Sequence, residues 1–585
     1  MGDSSEPPIC VKTVPEGERK TAKLITTQER IIMYSQVISA AICGLRAHKV
    51  TVEADIRSGM PMFSMVGYLS SEVREAQDRV RTALRNTGLE LPVSRITVNL
   101  APADLRKEGA GYDLPIAMAV LAAAQIIDAG KLAGTLFAGE LGLDGRIEPV
   151  RGVIEMVSRA EEFGCSRCII PVSNLREGSM LKKGEVLGAG SLQEVVAYFQ
   201  SGTPLKTESP DLDRIRREQE MRSDKDFSQI RGQAVLKRAA EVAVAGGHNL
   251  LIIGPPGAGK SMTAQRIPTI LPRTGMEEAL EITRIHSIAG TLPGDIGLMT
   301  QRPFRAPHHT ISAAGLAGGG MSPRPGEISL AHRGILFCDE LPEFNPDVLE
   351  ILRQPLEDKQ ITISRVYGNY TFPADFQLIA SANPCKCGYY PDRKRCKCTP
   401  WDIRRYLGRI SRPLLDRIDM CVEAQELSYE EMTGRSQSDG KASRRRAGKS
   451  RQQKINSQEG NSQEPDGQIR GSQETDLSVE TSAMIRERVE RTRTIQRERF
   501  KGTGCLTNAG MGTAQIEHYC VLGEKEEKLM EQIYKKMNLT GRGYYKLLRV
   551  SRTLADMDGK ERIGCEHLAE AVSYKMVDQN YWGGL

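Results

Sequence analysis

Residues 254–261 read GPPGAGKS and match the phosphate-binding loop pattern G-x-x-x-x-G-K-[S/T] at every fixed position. The apolar run 249–253 before them is typical of a buried parallel strand, and a helix can begin near Met262. This order aims backbone N–H groups and a helix N-terminus at a polyphosphate. The predicted nucleotide-binding residues are Gly254, Pro255, Pro256, Gly257, Ala258, Gly259, Lys260 and Ser261.

Individual residues of this loop carry distinct predicted roles. We expect Lys260 to reach the β- and γ-phosphates and the Ser261 hydroxyl to hold Mg²⁺. Gly257 and Gly259 allow the backbone to wrap closely around the phosphates. ATP and Mg²⁺ are therefore the predicted cofactors, and a chance glycine-rich turn is the alternative.

The composition is that of a large protein with several domains. The 585 residues are 39% apolar and 26% charged, which is ordinary for chains with sizeable cores. A net charge of +6 permits nucleic acid as a partner without requiring it. The sequence has neither a membrane-spanning apolar run nor a signal peptide, and its 13 cysteines are mostly scattered. We therefore predict a cytoplasmic protein with no membrane partner and no disulfide scaffold.

Changes in composition and in hydrophobic pattern divide the chain into six segments. Strand and helix patterns alternate in residues 33–200, which predicts a compact α/β domain. The other predicted segments are a flexible extension at 1–32, a polar linker at 201–225, an ATPase core at 226–430, a disordered Ser/Gln-rich insertion at 431–479 and a C-terminal helical domain at 480–585.

A second strand pattern indicates ATP hydrolysis. Residues 334–338 are apolar and are followed by Asp339 and Glu340. Asp339 suits Mg²⁺ binding, largely through water, because Mg²⁺ prefers hard oxygen ligands and keeps its waters. Glu340 can orient and deprotonate the attacking water. The alternative is a strand followed by a solvated acidic turn.

The N-terminal α/β domain resembles the Lon protease domain. Residues 107–119 are similar to the segment that carries the Lon nucleophile, and residues 139–152 to the segment that precedes the Lon lysine. The two catalytic positions hold Asp113 and Ile154. Because a Ser–Lys mechanism needs a hydroxyl and a basic amine, we expect no peptidase activity. A scaffold or a nucleic-acid-contacting role is the expectation instead.

Later residues resemble the catalytic apparatus of the AAA+ superfamily. An apolar strand at 378–382 ends at Asn383, the sensor 1 position, which implies that Asn383 holds the hydrolytic water. Residues 414–419 are similar to the arginine-finger segment of Mg-chelatase and MCM-type proteins, so Arg417 is expected to act on ATP of a neighbouring subunit. An ordinary Asp–Arg surface pair is the alternative.

The sensor 2 arginine of AAA+ proteins has three candidates in this chain. Arg542 stands just before a predicted helix at 544–556 and is the favoured one. Arg549 and Arg552 lie on the same helix and compete with it.

Three further motifs, 303–312, 325–332 and 341–344, resemble the YifB/ComM family of Mg-chelatase-like AAA+ proteins. The resemblance implies an inactive Lon-like domain, a P-loop AAA+ αβα sandwich with a helix-2 insert, a C-terminal helical domain and a homo-hexameric ring. It also implies an ATP-hydrolysing motor on single-stranded or branched DNA, a helicase or branch-migration factor of natural transformation and recombination. A Mg-chelatase-like subunit and a protein-remodelling ATPase are the alternatives.

Two stretches suit loops that reach the pore of a ring motor. The glycine-rich stretch 315–326 is one, and residues 362–372 are predicted to form a hairpin with its tip at 368–369. Arginines would contact phosphates and tyrosines would stack on bases. The candidates are Arg324, Arg365, Tyr367 and Tyr370. A purely structural hairpin is the alternative.

Four cysteines follow the sensor 1 position within fourteen residues: Cys385, Cys387, Cys396 and Cys398. Two close pairs of thiols can build a tetrahedral Zn²⁺ site, which predicts a structural metal that braces a loop near the ATP site. The C-x-C spacing is tighter than the usual C-x₂-C. Disulfides are the less favoured alternative.

Overall fold

The computed structural model describes residues 33–426 and 480–582, except residues 182, 222–223, 322 and 366–367. The predicted extension 1–32 and the whole of the predicted insertion 431–479 lie outside these residues. The described chain is a multidomain α/β protein, as predicted, with two α/β domains and a C-terminal helical domain. Within the described ranges, no helix combines the length and the apolar character that a bilayer crossing needs.

In the described part of the N-terminal domain there are nine strands: β1 (Met33–Cys43), β2 (Arg46–Arg57), β3 (Met62–Val66), β4 (Arg95–Ala101), β5 (Thr135–Phe137), β6 (Glu140–Leu141), β7 (Ile147–Glu148), β8 (Arg167–Pro171) and β9 (Glu185–Ala189). Seven of them form one mixed sheet in the order β3-β4-β2-β1-β5-β8-β9, and β6 pairs with β7. The long antiparallel pair β1–β2 forms the middle of the sheet. Short apolar strands such as β5 carry no alternation, which is why the sequence did not reveal them.

Among the residues described here, seven helices accompany this sheet: α1 (Ser71–Arg74), α2 (Ala76–Asn86), α3 (Asp113–Ala123), α4 (Ala129–Leu132), α5 (Val153–Ser158), α6 (Leu175–Gly178) and α7 (Leu192–Ser201). Every residue of α3 is buried. This helix is apolar on all sides because it packs on β1 and β2 while α2 covers its other face.

The ATPase domain contains the strands β10 (Leu250–Ile253), β11 (Phe304–Arg305), β12 (Gly318–Gly319), β13 (Arg324–Pro325), β14 (Ile335–Cys338), β15 (Gln360–Arg365), β16 (Gly368–Pro373), β17 (Gln377–Ala382) and β18 (Met420–Glu423). Five of them form a parallel sheet in the order β11-β14-β17-β10-β18. The central strands β14, β17 and β10 are entirely buried, which explains their continuous apolar runs. Their carboxyl ends bring the three following loops to one edge of the sheet.

The described residues of this region form ten helices: α8 (Leu212–Met221), α9 (Ala234–Gly246), α10 (Lys260–Ala264), α11 (Met276–Ala289), α12 (Ala313–Ala317), α13 (Glu327–Leu330), α14 (Pro346–Glu350), α15 (Arg353–Asp358), α16 (Pro400–Leu407) and α17 (Arg412–Leu415). Helix α8 lies inside the stretch that composition assigned to a plain linker. Gln219 on α8 is buried, donates to the Leu298 carbonyl oxygen at 2.6 Å and accepts from the Thr300 backbone N–H at 2.9 Å. These contacts tie the predicted linker to the ATPase domain.

The C-terminal domain contains α18 (Ser482–Arg499), α19 (Thr513–Tyr519), α20 (Glu524–Lys536), α21 (Gly541–Met557) and α22 (Cys565–Trp582). Its apolar residues share one continuous core with the ATPase domain. Polar contacts reinforce the junction: the buried Lys546 donates to the Ile418 carbonyl oxygen at 2.8 Å, and the Trp582 indole donates to that of Leu407 at 3.1 Å. The helical domain is therefore packed firmly on the nucleotide-binding domain.

Helix α11 joins the ATPase domain to the N-terminal domain. Its Ser287 hydroxyl donates to Glu177, and it accepts from the Gly152 backbone N–H at 3.0 Å. Arg284, on the same helix, forms an ion pair with the buried Glu155 at 2.9 Å. The two α/β domains thus meet through specific buried contacts.

Candidate nucleotide-binding site

The glycine-rich loop has the backbone that the sequence predicted. It connects the buried strand β10 to helix α10, which begins at Lys260. Gly257 and Gly259 adopt left-handed conformations with φ of +81° and +79°. An L side chain is strained there, so glycine is needed at both positions for the tight wrap of the loop.

Lys260 is almost completely buried, and its ammonium is bound by neutral oxygen atoms. Its Nζ donates to the carbonyl oxygens of Gly254 at 2.7 Å and Pro255 at 2.9 Å, and to Oδ1 of Asn383 at 3.0 Å. Among the described residues, no carboxylate forms an ion pair with it. Burial lowers the pKa of Lys260, and the more distant Asp339 and Glu340 oppose that shift. The predicted lysine and the predicted sensor amide are thus in direct contact.

Asp339 lies at the end of β14, beside the phosphate-binding loop. Its Oδ2 accepts from the Ser261 hydroxyl at 2.6 Å, and its Oδ1 accepts from the Ser381 hydroxyl. A hydroxyl beside a carboxylate is the kind of donor set that Mg²⁺ takes in nucleotide sites. The sequence analysis missed Ser381. A lone hydroxyl in the otherwise apolar, buried strand β17 was the available signal.

Glu340 is exposed and has a strained backbone. Its φ of +53° lies in the left-handed region, which costs a non-glycine residue about 1–3 kcal/mol. Its backbone N–H donates to Oγ of Ser381 at 3.1 Å, which fixes this conformation. In the described part of the chain, no hydrogen bond or ion pair holds its carboxylate, so the group is free to bind water.

The two arginines predicted to be catalytic converge on one carboxylate away from the lysine. Arg417 Nη2 forms an ion pair with Glu357 Oε1 at 2.6 Å, and Arg542 Nη2 lies 3.9 Å from the same atom. The partner of Arg417 is therefore Glu357 on α15, not an adjacent aspartate. Within the described residues, neither arginine bonds to the phosphate-binding loop of its own chain.

The two competing sensor 2 candidates are held inside the helical domain. Arg552 is only 2% exposed in its side chain and pairs with Asp556 at 2.9 Å. Arg549 donates to the Met511 carbonyl oxygen. Arg542 is 66% exposed, so it is the arginine of α21 that is available to a ligand.

The glycine-rich insert and the hairpin β15–β16 contact each other. Strands β12 and β13 lie between helices α12 and α13. Gly318 has φ of +99°, and a Cβ there would collide with the backbone of Arg324. Arg365 Nε donates to the Gly320 carbonyl oxygen at 3.2 Å. Both arginines are exposed. The structure therefore brings these two predicted DNA contacts to one surface.

The predicted tip of this hairpin, at residues 368–369, is wrong. Arg365 pairs with Gly368, and Ser364 pairs with Asn369, so residues 368–369 belong to strand β16. Tyr367 lies outside the described residues.

Tyr370 is half-buried against the N-terminal domain. Its hydroxyl is hydrogen-bonded with the Cys43 thiol, and a Cβ on Gly44 would lie 3.1 Å from its ring. Burial, with the Cys43 contact, raises the pKa of Tyr370. This predicted base-stacking residue therefore contacts the β1–β2 turn.

The residues at the two Lon-like positions are locked in the domain core. Asp113 is fully buried at the start of α3 and accepts bonds from Arg79 Nε at 2.7 Å and Nη2 at 2.9 Å. Burial raises the pKa of Asp113, and Arg79 opposes that shift. Ile154 is buried in α5, with its backbone N–H bonded to Glu177 at 2.9 Å.

The four predicted metal ligands are close together. Their Sγ atoms all lie within 4.8 Å of one another; the residues are Cys385, Cys387, Cys396 and Cys398. These residues fill the connection between β17 and α16, directly after Asn383. The donor set could hold a metal ion.

The parallel sheet, its glycine-rich loop and the interrupted helical segments define an AAA+ ATPase of the Mg-chelatase type. Family models of the magnesium chelatase subunit ChlI match residues 52–174 and 226–432, and a model of the C-terminal part of that subunit matches residues 479–575. The N-terminal domain has a Lon-protease-like α/β fold, as predicted.

Full-length relatives agree with this class. The chain is 40% identical over 549 residues to competence protein ComM of Haemophilus influenzae, covering 92% of this chain and 97% of ComM. It is 38% identical over 545 residues to the uncharacterized protein YifB of Escherichia coli, covering 93% and 97%. Lon protease 2 of Bacillus subtilis is 26% identical over 236 residues, 35% of this chain and 41% of that protease. The chain belongs to the YifB/ComM family of Mg-chelatase-like AAA+ proteins.

Proposed function

We propose that this protein is a cytoplasmic, homo-hexameric motor that hydrolyses ATP to move single-stranded or branched DNA, as a helicase or a branch-migration factor. The observation that carries the proposal is the buried, unpaired charge of Lys260 at the start of α10. A buried cation without a carboxylate partner is costly, and a polyphosphate is the anion that this loop geometry accepts.

The chain supplies a residue for each task of ATP hydrolysis. Lys260 would bind the phosphates, and the adjacent oxygens of Ser261 and Asp339 would hold Mg²⁺. That ion would supply positive charge beside the phosphates. Asn383 and the free carboxylate of Glu340 orient the attacking water, and Glu340 takes its proton. Ser381 keeps the Asp339 carboxylate in place.

The positions of the arginines favour a catalytic site shared between subunits. Arg417 and Arg542 meet at Glu357, and within the described residues neither bonds to its own phosphate-binding loop. A guanidinium is suited to stabilise the transferred phosphoryl group of an adjacent copy, and Arg542 is exposed whereas Arg417 is largely buried against Glu357. Such head-to-tail contacts generate a closed ring when the rotation closes. Both arginines are therefore assigned to ATP bound by the neighbouring subunit.

Two arginines on adjacent hairpins are the proposed DNA contacts. Arg324 and Arg365 are exposed, and the Arg365–Gly320 hydrogen bond holds the insert beside the hairpin. Cationic side chains on loops bind the phosphate backbone without regard to sequence, as a motor requires. Tyr367 stays a candidate for base stacking. We reassign Tyr370 to a structural contact with the N-terminal domain, because it is half-buried there.

The N-terminal domain is proposed to be a scaffold without peptidase activity. The nucleophile position holds Asp113, whose carboxylate is occupied by Arg79, and the lysine position holds Ile154. Neither residue can supply the activated hydroxyl or the amine of a Ser–Lys mechanism. The relative named competence protein ComM supports a role in natural transformation and recombination.

A branch-migration assay tests the proposal. Purified full-length protein is mixed with a mobile four-way DNA junction, ATP and Mg²⁺, and the release of labelled duplex arms is followed on a gel. We expect ATP-dependent resolution that is absent in Lys260→Ala and with a non-hydrolysable ATP analogue. Robust ATP hydrolysis without any movement of junctions or forked duplexes would favour the metal-insertion or protein-remodelling alternatives.

A further inference from the structure

The connection between β17 and α16 brings four thiols to one point. Cys385 Sγ lies 3.3 Å from Cys387 Sγ and 3.7 Å from Cys396 Sγ, and none of the four cysteines forms a disulfide. In a tetrahedron with Zn–S bonds of about 2.3 Å, sulfur atoms are separated by about 3.8 Å. The observed separations are therefore close to those of four ligands around a single ion. A polynuclear iron–sulfur cluster distributes its ligands over several irons and needs wider spacing.

The local fold prepares this arrangement. A turn closed by the bond from the Gly388 N–H to the Cys385 carbonyl oxygen, at 2.9 Å, folds the first pair of cysteines back. A second turn bonds the Cys396 N–H to the Asp392 carbonyl oxygen at 2.8 Å and places the second pair opposite. Arg395 secures this turn through an ion pair with Asp392 at 3.0 Å.

The chemistry of the site selects the ion. Thiolates favour soft or borderline metals, whereas Mg²⁺ and Ca²⁺ prefer oxygen. Four thiolates around one divalent ion leave an excess of negative charge, which the exposed neighbouring Lys386 and Lys397 offset. All four ligands come from the protein, so no position stays open for a substrate, as in structural zinc sites.

We propose that Cys385, Cys387, Cys396 and Cys398 bind one structural Zn²⁺, which holds this connection against the phosphate-binding loop. Gly388 provides the contact: its φ is +87°, and a Cβ at this position would lie 2.5 Å from Cδ of Pro256. The site also begins two residues after Asn383, which bonds Lys260. Zinc binding therefore fixes the loop and the sensor amide relative to each other.

Metal analysis of the full-length protein tests the site itself. Protein purified under reducing conditions is analysed by inductively coupled plasma mass spectrometry, beside a Cys396→Ser/Cys398→Ser variant and a Cys505→Ser control. Cys505 is a half-buried free thiol in the C-terminal domain. We expect about one zinc ion per chain in the wild type and the control, and at least about tenfold less in the double variant. Zinc-free wild type, or equal zinc in the double variant, overturns the proposal.

A second measurement covers the case in which the double variant misfolds. Chelator-stripped wild type is titrated with Co²⁺, and we expect the intense visible absorption of a tetrahedral thiolate complex, which added Zn²⁺ removes. Its absence from stripped protein that keeps its far-UV circular dichroism overturns the proposal. Neither readout involves ATP or DNA, so the outcome is independent of the motor function.

A glycine substitution tests the contact with the phosphate-binding loop. Gly388→Ala is expected to retain zinc while weakening the binding of a fluorescent ATP analogue by about tenfold, because a Cβ strains the left-handed backbone and displaces Pro256. Removal of zinc from the wild type is expected to weaken binding as well. Unchanged nucleotide affinity in both cases refutes the bracing role.

Discussion

In each α/β domain of this protein, a buried charged side chain stands at the start of a helix, and the two charges, Asp113 and Lys260, are satisfied in opposite ways. In the N-terminal domain, the Asp113 carboxylate is held by both donors of the Arg79 guanidinium fork. In the ATPase domain, the Lys260 ammonium is held by two backbone carbonyls and the Asn383 amide oxygen. The first charge is neutralised within the domain, and the second is only solvated by dipoles.

Asp113 and Lys260 occupy similar positions, but the two buried charges differ in whether they can still bind a ligand. A buried ion pair with complete hydrogen bonds has no further capacity for a ligand, and it can often be replaced by apolar residues. A buried cation with neutral partners still lacks a counter-charge, so an arriving anion gains a strong interaction. The Lon-like centre is therefore a structural element, whereas the phosphate-binding loop is prepared for a ligand.

The largest effect is expected from the arginine assigned to the neighbouring subunit. Arg417→Ala should reduce the steady-state ATPase rate by about 10³-fold or more, because the transferred phosphoryl group loses its guanidinium. As a control, substitution of the exposed Arg412 on the same segment by alanine should leave the ATPase rate within about twofold of the wild-type rate. Mixing Arg417→Ala with Lys260→Ala subunits should restore part of the rate, since each supplies what the other lacks. If mixed rings stay inactive while assembling normally, the arginine acts within its own subunit.

The next largest effect is expected from substitution of Glu340, whose carboxylate is free. Glu340→Gln should lower kcat by about 10²–10⁴-fold, the usual loss for a general base, while ATP still binds. Glu343→Gln is a matched control in the following turn, where the carboxylate pairs with Arg409 at 3.2 Å. Stopped-flow hydrolysis and nucleotide binding distinguish the two steps. Equal losses in both variants would remove Glu340 from its proposed role.

The Lon-like centre should respond as a structural pair. Arg79→Ala leaves Asp113 buried and unpaired, which should destabilise the N-terminal domain by about 3–5 kcal/mol. Hydrogen exchange of peptides from α2 and α3 reports this loss within the full chain. Substitution of the exposed Arg85 by alanine should change the stability of the N-terminal domain by less than about 0.5 kcal/mol.

A double substitution distinguishes the two kinds of centre most clearly. Arg79→Met with Asp113→Leu should recover most of the lost protection, since an apolar pair removes both buried charges. If hydrogen exchange in the double variant is as fast as in Arg79→Ala, the Arg79–Asp113 pair does more than neutralise two buried charges.

The smallest effect involves a buried group that stays neutral. His248 lies at the junction with α21, bonded to Thr553 at 2.8 Å, and burial lowers its pKa to about 4. Because the unfolded chain binds a proton near pH 6.5 and the folded chain does not, stability is lost as the pH falls from about 6.5 to about 4. At pH 5.5 the loss should be about 1.4 kcal/mol. Hydrogen exchange of α21 at pH 7.5 and 5.5 measures it, and the loss should vanish in His248→Gln.

Local patterns predicted the strands and the glycine-rich loop of the candidate nucleotide site, because each of these parts is a short contiguous run of sequence. The strand before the loop, the left-handed glycines and the strand leading to Asp339 all follow from short runs. Ser381 was missed because its function depends on a neighbouring strand, which brings it to Asp339 from 42 positions away in the chain.

Other features depend on contacts that no single segment reveals. Arg79 and Asp113 are 34 positions apart, and nothing near either residue indicates the pair. The hairpin tip was misplaced because a Gly-Asn pair suggested a turn, although cross-strand pairing set the register. The polar stretch 201–225 contains helix α8, whose fold depends on its contacts with the ATPase domain.

The central claim is that the unpaired charge of Lys260 serves an ATPase whose output is work on DNA. Its most direct test is the rate of ATP hydrolysis with and without single-stranded and branched DNA, for the wild type, Lys260→Ala and Glu340→Gln. We expect strong stimulation of the wild type by DNA, and hydrolysis lowered by about 10²-fold or more in both variants whatever DNA is present. Robust wild-type hydrolysis that is indifferent to every DNA tested would contradict the claim.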